Sequence, residues 1–231
     1  MTKQAERDYP LKVDQEHLYR KPFNDPRVFR EFATVLQVFH GLLPAGGSIL
    51  DLGCGPGWTS LFLSKAGFDV TGADISVRMI EIARERAELE NSQAAFAVTD
   101  MEEMDLEKKD FDGVLLFDSL HHCPGYPNVL RRACEHLRPG GHLLLLEPSW
   151  LHRYSPHARA ASRTYGVTEL GFSRLHLAQT LRRAGFSRVT NYYDGGNAFR
   201  GVLGFVLTNL RIWSSYLCCS PRVKQILLAK K

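Results

Sequence analysis

The sequence predicts an α/β protein with a doubly wound, mostly parallel sheet that helices cover on both faces. Two patterns support this fold class: short apolar runs alternate with amphipathic stretches of about ten residues, and a glycine-rich turn follows the first run at residues 51–57. With 231 residues, 44% of them hydrophobic, the chain is long enough to bury one large core. Collagen-like and disordered classes are therefore excluded.

The first structural unit is a strand at Ser48–Leu52, the glycine-rich turn, and a helix at 58–66. The same unit then repeats along the chain. The later predicted strands are 68–73, 94–98, 112–117, 142–146 and 188–193, and the later predicted helices are 77–89, 128–137 and 173–184. The residues Arg138-Pro139-Gly140-Gly141 are predicted to form the turn that ends the helix before the fifth strand.

Two segments outside this repeat are predicted to form caps over one edge of the sheet. Residues 1–47 would form an N-terminal helical cap with one helix at 27–43, and residues 48–147 would form the cofactor-binding core. Residues 148–231 would complete the sheet. Their first part, 148–172, is predicted to be a substrate-facing cap, because a connection that long in a compact domain is usually functional.

Charge is divided unevenly along the chain. Residues 1–150 carry 16 Lys/Arg and 23 Asp/Glu, whereas residues 151–231 carry 13 Lys/Arg and 2 Asp/Glu. Since a surface of one sign attracts ligands of the other, we expect the C-terminal third to face an anionic partner. A phosphorylated substrate, a nucleic acid or a membrane surface would fit, and a solvated basic face is the alternative.

The apolar segment 201–219 raises the question of a membrane span, which needs about 20 predominantly apolar residues. Asn209 and Arg211 argue against a span, so we predict a buried final strand followed by a packed helix. An interfacial or partner-binding helix is the alternative, and it would give peripheral membrane contact through 201–219.

Five cysteines and the lack of a charged-then-apolar leader favour a reducing, cytoplasmic location with free thiols. No Cys-x-x-Cys spacing occurs, and the adjacent pair Cys218-Cys219 lacks the spacing of metal ligands. We therefore expect no metal site. Cys54, inside the glycine-rich turn, is expected to pack with its side chain and to offer only its backbone to a ligand.

The turn at 51–57 follows the carboxyl end of the first strand, where open parallel sheets bind ligands. It fails the dinucleotide pattern G-x-G-x-x-G, because Trp58 stands where the third glycine would fall. Asp51 precedes the glycines and residues 49–63 contain no Lys or Arg. This composition favours a cationic ligand over a pyrophosphate.

Two further acids follow later strands. Asp74 lies 21 residues after Gly53, at a position where a carboxylate can bind ribose hydroxyls. Asp100 closes the third strand region, and Met79 and Met101 are apolar neighbours suited to an adenine ring. A nucleoside with a positive centre and no phosphate satisfies all these features, and S-adenosylmethionine is such a molecule.

The stretch from Ile49 to Pro148 resembles the class I S-adenosylmethionine-dependent methyltransferases of methyltransferase type 11 or 12. The resemblance rests on four motifs in order, ILDLGCGPGWTSLFLSKAGFDVTGADIS, AVTDMEEMDL, FDGVLLFDSLHHCPG and LRPGGHLLLLEPS. It implies a Rossmann-like sheet of seven strands with the last strand antiparallel, and S-adenosylmethionine as cofactor. The cofactor-binding residues that it implies are Asp51, Gly53, Cys54, Gly55, Gly57, Asp74, Ile75, Met79, Asp100, Met101 and Phe117.

The resemblance also implies which part of the cofactor each motif holds. The glycine turn with Asp51 would hold the methionine moiety, and Asp74 would hold the ribose. Asp100 and Met101 would contact the adenine, and Phe117 would line the sulfonium side. Two alternatives stay open. Asp51 and Asp74 could cap the helices that follow them, and Met79 and Met101 could be core residues.

Methyl transfer from a sulfonium mainly requires alignment of donor and acceptor and exclusion of water. A hydroxyl or ammonium acceptor must also lose a proton, and His121 and His122 follow the fourth strand, where the acceptor should sit. We predict these two histidines as catalytic residues, with a structural hydrogen bond to the next loop as the alternative. His152, Tyr154 and His157 in the cap are the other candidates for the base.

The residues after the fourth strand, Asp118-Ser119-Leu120-His121, differ from the D/N-P-P-Y/F tetrapeptide of enzymes that methylate exocyclic amines of bases. Cys123 precedes Pro124, whereas cytosine C5 methylation usually uses a cysteine after a proline. We therefore expect O- or N-methylation of a small or medium acceptor such as a sugar, a lipid-linked or phosphate-bearing intermediate, or a secondary metabolite. An RNA-directed methyltransferase and a non-catalytic cofactor-binding subunit that acts through a partner are the alternatives.

Overall fold

The computed structural model describes residues 3–20, 22–23, 26–192 and 224–231. Within these ranges the chain forms one seven-stranded sheet with helices on both faces. The strands are β1 (Ser48–Leu52), β2 (Asp69–Asp74), β3 (Ala95–Val98), β4 (Phe111–Phe117), β5 (Leu137–Pro148), β6 (Arg188–Tyr192) and β7 (Lys224–Lys230). The helices are α1 (Lys3–Lys12), α2 (Gln15–Tyr19), α3 (Pro26–Leu42), α4 (Trp58–Lys65), α5 (Val77–Leu89), α6 (Tyr126–His136), α7 (Pro156–Tyr165) and α8 (Arg174–Arg183). Two 3₁₀ turns lie at Leu120–His122, named the histidine turn below, and at His152–Tyr154.

The strand order is β3-β2-β1-β4-β5-β7-β6. Strands β1 to β5 pair in parallel, and β7 runs antiparallel to both β5 and β6. The predicted doubly wound, mostly parallel sheet with an antiparallel last strand is thereby confirmed. The chain crosses from one side of β1 to the other between β3 and β4. The carboxyl ends of β1 and β4 therefore lie side by side, at the switch point where such sheets bind ligands.

The apolar runs of the central strands form the core because helices cover both faces of the sheet. Residues 114–116 of β4 and 143–146 of β5 are fully buried. Successive residues of one strand enter different clusters, since side chains alternate between faces. Leu116 packs with residues of α6 and α8, whereas Leu115 packs with residues of α3.

Strand β5 is longer than the sequence predicted. It begins at Leu137, directly after α6, and includes residues 138–141, which were predicted as a turn. Its ladder with β4 starts at the pair Phe111 and Leu137 and resumes at Gly113 and His142. Gly140 and Gly141 therefore lie in an irregular part of the ladder between β4 and β5. Their composition is typical of a turn, so it did not indicate that they belong to a strand.

The two predicted caps contain more helix than the sequence indicated. The N-terminal cap holds α1 and α2 before α3, and the predicted connection 148–172 holds the second 3₁₀ turn and α7. Both α1 and α7 are mostly polar, and the apolar residues of α7 are mainly alanines, so the sequence predicted neither helix. The prediction for 201–219 falls outside the described residues. In the part of the chain that the structure describes, we find no helix with the length and apolar character of a membrane span.

Candidate functional site

The glycine loop (residues 53–57) turns the chain from β1 into α4. Gly53, Gly55 and Gly57 have φ angles of +72°, +52° and +80°, in the left-handed region that favours glycine. A Cβ added at Gly53 would lie 2.5 Å from the Cβ of Ser119, and one at Gly57 would lie 2.7 Å from the Cβ of Ala83. A Cβ added at Gly55 would meet no atom of the described residues within 4 Å. Gly53 and Gly57 therefore permit close packing, whereas Gly55 faces space that a ligand can enter.

Asp51 is almost fully buried near the end of β1. Its Oδ2 accepts hydrogen bonds from the hydroxyls of Thr59 at 2.5 Å and Ser60 at 2.6 Å, which tie it to the start of α4. Burial raises the pKa of Asp51 to about 6, although these two hydrogen bonds oppose the shift. The other oxygen, Oδ1, is buried and has no hydrogen-bond partner among the described residues. Asp51 thus anchors α4, whose N-cap is Gly57, and keeps one oxygen for a ligand that donates hydrogen bonds.

Asp74 connects the glycine loop to the end of β2. Its Oδ2 accepts the backbone N–H of Gly55 at 3.0 Å, and its Oδ1 accepts the backbone N–H of Ser76 at 2.9 Å. Ser76 is the N-cap of α5, so Asp74 also supports the start of that helix. Ile75, between these two residues, is half-buried. Asp74 thus ties the glycine loop to the start of α5.

The residues predicted to contact adenine lie near the N-terminal cap. Oδ2 of Asp100 pairs with Nζ of Lys3 at 2.6 Å, so a residue of α1 contacts this carboxylate. Met101 is half-buried, and its Cε would lie 3.1 Å from a Cβ added at Gly53. Met79 is buried in a cluster with Leu18 of α2. The structure therefore places Met101 beside the glycine loop and Met79 beneath the N-terminal helices.

The remaining predicted cofactor residues are Phe117 and Cys54, and both are buried. Phe117, at the end of β4, is buried, with its ring centroid 5.3 Å from that of Trp58. The Nζ of Lys224 lies 4.9 Å from the Phe117 ring centroid. Cys54 is buried, and burial raises the pKa of its thiol well above the usual value. Its side chain packs in the core, as the sequence predicted.

Glu147, at the end of β5, holds the histidine turn in place. It is fully buried. Its Oε1 accepts the backbone N–H groups of Ser119 at 3.0 Å and Leu120 at 2.8 Å, and its Oε2 lies 2.8 Å from Nδ1 of His121. Nδ1 of His121 therefore carries a proton, because an ionised carboxylate only accepts. Sequence reasoning missed Glu147, although an acid that ends a buried apolar strand was the available signal.

The end of the cap segment completes the surroundings of the two histidines. Nε2 of His152 lies 2.6 Å from Oε2 of Glu169, and Nε2 of His121 lies 3.8 Å from the same oxygen. Nδ1 of His122 donates to the carbonyl oxygen of Thr168 at 2.8 Å. When His122 is neutral, its lone pair is therefore on Nε2. Glu169 was missed as a site residue, although it is the one acid within residues 148–172.

The structure separates the three cap candidates for the base. His152 is buried and joins the group around Glu169. Tyr154 is 48% exposed, and His157 is also exposed. Of these predicted candidates, the structure brings only His152 to His121 and His122.

The two histidines of the turn differ in charge. Burial by itself would lower the pKa of His121, but the hydrogen bond and charge of Glu147, with Asp118 and Glu169, raise it to about 9. Burial and the neighbouring charge of His121 lower the pKa of His122 to about 4. The two ring centroids are 4.1 Å apart, which explains the second effect. Near neutral pH His121 is therefore protonated, and His122 is neutral and able to accept a proton at Nε2.

Helix α1 brings a further acid to the histidine turn. Oε1 of Glu6 accepts the backbone N–H of Thr168 at 2.8 Å, and Oε2 lies 3.7 Å from Nδ1 of His122. Glu6 could not be identified from the sequence, because α1 is mostly polar and has only a weak apolar period. Its position follows only from the packing of α1.

Ser119 joins the two halves of the site. Its Oγ donates to the carbonyl oxygen of Leu52 at 2.9 Å, and its backbone N–H donates to Glu147. We name the glycine loop with Asp51, Asp74 and Asp100 the glycine edge. We name the histidine turn with Glu147, His152, Thr168 and Glu169 the histidine edge. A ligand in the glycine loop and an acceptor at the histidine turn would be neighbours, since β1 and β4 are adjacent.

His121, His122 and Glu169 each place one metal-ligand atom within 4.8 Å of the others. A metal ion would need those atoms as unshared donors. Both ring nitrogens of His121 instead face carboxylates, and Glu169 pairs with His152. Pairing among the described side chains therefore explains this cluster, and we assign it to hydrogen bonding.

The glycine edge fits S-adenosylmethionine, the cofactor that the sequence resemblance implies. The unpartnered Oδ1 of Asp51 suits the ammonium group of the methionine moiety, and the space beside Gly55 permits close approach. Asp74 suits the ribose hydroxyls. No Lys or Arg occurs in residues 49–63, where a diphosphate would need a cation.

A family model described as a methyltransferase domain matches residues 25–191, which is well over half of the chain. The 27-O-demethylrifamycin SV methyltransferase of Amycolatopsis mediterranei (strain S699) is 35% identical over 137 residues, covering 56% of this chain and 50% of that protein. Phosphoethanolamine N-methyltransferase 3 of Arabidopsis thaliana is 30% identical over 165 residues, covering 69% of this chain and 32% of that protein. This chain thus spans half or less of the length of these curated relatives.

A solved structure shares the fold. Haemonchus contortus phosphoethanolamine N-methyltransferase 2, in complex with phosphomonomethylethanolamine and S-adenosylhomocysteine, superposes with a TM-score of 0.72 at 19% identity. The match covers 97% of this chain and 60% of that chain. At this identity the likeness establishes the architecture, in agreement with the seven-stranded sheet described above.

Proposed function

Because this chain belongs to the family of S-adenosylmethionine-dependent methyltransferases, we propose that it moves a methyl group from S-adenosylmethionine to an oxygen or nitrogen of a small or medium acceptor. The observation that carries the proposal is the adjacency of the two edges through Ser119. A carboxylate-lined glycine loop without basic residues lies beside a histidine that is neutral and able to accept a proton. Donor and acceptor sites of a methyl transfer need this adjacency.

The residues of the glycine edge bind and orient the cofactor in this proposal. Asp51 receives the ammonium group, Gly55 permits close approach of the backbone, and Asp74 holds the ribose. Asp100 and Met101 flank the adenine. S-adenosylmethionine supplies the activated methyl group, so no covalent residue of the chain is required.

His122 is the proposed general base. Its Nδ1–H is held by the Thr168 carbonyl at 2.8 Å, which leaves Nε2 to take the proton that the acceptor loses. His121 has a different role, since its proton is shared with Glu147 and its charge orients the turn. The sequence predicted both histidines as catalytic, and the geometry supports the second as base and the first as a positioning residue.

The acceptor is proposed to be a small molecule. Relatives whose names include O-methylation of a rifamycin precursor and N-methylation of phosphoethanolamine support this class. The cap residues Arg153, Arg159 and Arg163 are exposed, whereas His152 is buried and Glu169 is half-buried. The basic residues of α7 and the turn before it therefore suit an anionic part of the acceptor that extends away from the reacting atom.

Calorimetry with S-adenosylhomocysteine tests the cofactor site. Asp74→Asn should weaken binding roughly 10- to 100-fold, since a hydrogen bond to a charged group is worth about 1.5–3 kcal/mol. Asp69→Asn is the matched control, because Asp69 lies on the same strand and pairs with Lys108 at the surface. Equal affinities for both variants would place the cofactor elsewhere.

Mass spectrometry with a labelled methyl donor tests the activity. The protein is incubated with a metabolite extract and S-adenosylmethionine that carries a deuterated methyl group, and the products are searched for that label. A labelled small molecule supports the proposal. Label found only in RNA would favour an RNA-directed enzyme, and cofactor binding without product until a second protein is added would favour a non-catalytic subunit.

A further inference from the structure

Helix α1 contacts both edges of the site. On the glycine edge, Lys3 pairs with Asp100, and the hydroxyl of Ser76 donates to the carbonyl oxygen of Arg7 at 3.0 Å. Glu6, between Lys3 and Arg7, points to the histidine edge instead, where it accepts the backbone N–H of Thr168. The helix therefore contacts both edges, and Glu6 brings a carboxylate of α1 close to the base.

Glu6 and His122 both form hydrogen bonds with the backbone of Thr168. Nδ1 of His122 donates to the Thr168 carbonyl at 2.8 Å, and the Thr168 N–H donates to Oε1 of Glu6 at 2.8 Å. The second carboxylate oxygen of Glu6 lies 3.7 Å from the same Nδ1. The side chain of Glu6 is 17% exposed, so solvent screens this charge weakly.

We propose that Glu6 is a positioning residue for the general base, stabilising the imidazolium that His122 becomes during methyl transfer. This inference rests on the proposed function. As the acceptor atom gains the methyl group, its proton goes to Nε2 of His122, and the electron pair of the broken carbon–sulfur bond stays on sulfur. The new positive charge on the ring is then balanced by the carboxylate of Glu6.

The groups around Glu6 set its pKa, and therefore the pH range in which it can stabilise the His122 imidazolium. Burial raises the pKa of Glu6 to about 7, the Thr168 hydrogen bond and the charge of His121 oppose the shift, and Glu169 and Asp74 add to it. The titratable groups that face Glu6 from the surrounding elements are His121, His122, Cys123, Glu169, Asp74 and Tyr9. Below about pH 7 Glu6 becomes neutral and loses its effect on His122.

Nitrogen NMR of histidine rings tests this without an acceptor. In protein labelled with ¹⁵N-histidine and saturated with S-adenosylhomocysteine, the His122 signals should show an inflection near pH 7 as Glu6 ionises. Glu6→Gln should remove that inflection, while the inflection from His121 near pH 9 stays. Glutamine keeps an oxygen that can accept the Thr168 N–H, so the helix can stay docked. Asp8→Asn, on the same helix and bonded to Gln4, is the matched control and should behave as the wild type.

An inflection near pH 7 that persists in Glu6→Gln would overturn the proposal. A carboxyl-labelled wild-type sample gives a second measurement that needs no variant: the Glu6 carboxyl signal should titrate near pH 7, together with the His122 ring signals. A Glu6 carboxyl signal that titrates at a pH where the His122 signals show no inflection would also overturn the proposal. The two hypotheses fail differently, because wild-type protein that does not bind S-adenosylhomocysteine contradicts the proposed function, whereas bound protein with an unaltered His122 titration in Glu6→Gln contradicts only the role of Glu6.

Discussion

The glycine edge and the histidine edge each bury a carboxylate near the end of a central strand, Asp51 in β1 and Glu147 in β5. Both side chains are almost completely shielded from solvent. Glu147 uses both of its oxygens, on backbone N–H groups and on the protonated ring of His121. Oδ2 of Asp51 accepts hydrogen bonds from two hydroxyls, and Oδ1 has no partner among the described residues.

This difference shows that burial alone does not reveal the role of an acid. A buried carboxylate with donors at every oxygen is part of the scaffold, and its removal leaves those donors unsatisfied. A buried carboxylate with a spare oxygen is costly unless a ligand supplies the missing donor. The first kind should therefore control stability, and the second kind should control ligand affinity.

The largest expected effect is the loss of Glu147. Glu147→Ala would leave a buried cation and several N–H groups without a partner, which costs about 3–5 kcal/mol of unfolding free energy. Urea unfolding measures this, with Glu135→Ala as the control, since Glu135 pairs with Arg131 at the surface and should cost below about 1 kcal/mol. Equal losses for both variants would remove the distinction between scaffold and ligand carboxylates.

The pH dependence of stability tests the interaction between Glu147 and His121 through the titration of His121. The pKa of His121 in the native state, about 9, exceeds the ordinary value of 6.5. Between these two pH values the native state therefore holds a proton that the unfolded state has lost. The stabilisation is complete below about pH 6.5 and is lost as the pH rises through 9. The decline should be smaller than the effect of Glu147→Ala, because Glu147 keeps its backbone hydrogen bonds. A His121→Gln variant should show no such decline between these two pH values in urea titrations.

The glycine loop offers a matched pair of substitutions. Gly53→Ala and Gly55→Ala share the cost of a left-handed alanine, about 1–2 kcal/mol, but only the first adds a clash, with Ser119. Gly53→Ala should therefore lose about 1–3 kcal/mol more unfolding free energy. Gly55→Ala should instead weaken S-adenosylhomocysteine binding, measured by calorimetry. Equal stability of the two variants would show that Ser119 can move away, and that the two edges are less tightly joined.

The smallest expected effect concerns the ion pair between Lys3 and Asp100. The Lys3 side chain is 40% exposed, so Lys3→Ala should cost below about 1 kcal/mol, and less at high salt. Thermal unfolding at low and high ionic strength checks this. The control is Lys65→Ala, which removes the half-exposed ion pair between Lys65 and Glu90. A loss as large as that of Gly53→Ala would mean that α1 contributes to the stability of the glycine edge far more than its exposed charge indicates.

The parallel part of the sheet and the glycine loop could be predicted from the sequence. The helix at 77–89 was predicted with its observed bounds, and the strand at Ser48–Leu52 likewise. These elements depend on local periodicity, which neighbouring residues carry. Helix α7 was missed because its apolar residues are mainly alanines, and its position depends on contacts such as that of Tyr165 with Tyr9.

The glycine loop follows from local sequence, because one short run of residues supplies the turn, the positive-φ glycines and Asp51. This loop is the proposed cofactor site. The difference in charge between His121 and His122, in contrast, arises from contacts between distant parts of the chain. Glu6, Glu147 and Glu169 lie far from His121 and His122 in the chain, and they reach them through α1, β5 and the cap. The charge of a histidine depends on such neighbours at distances of a few ångströms, and these distances exist only after the chain has folded.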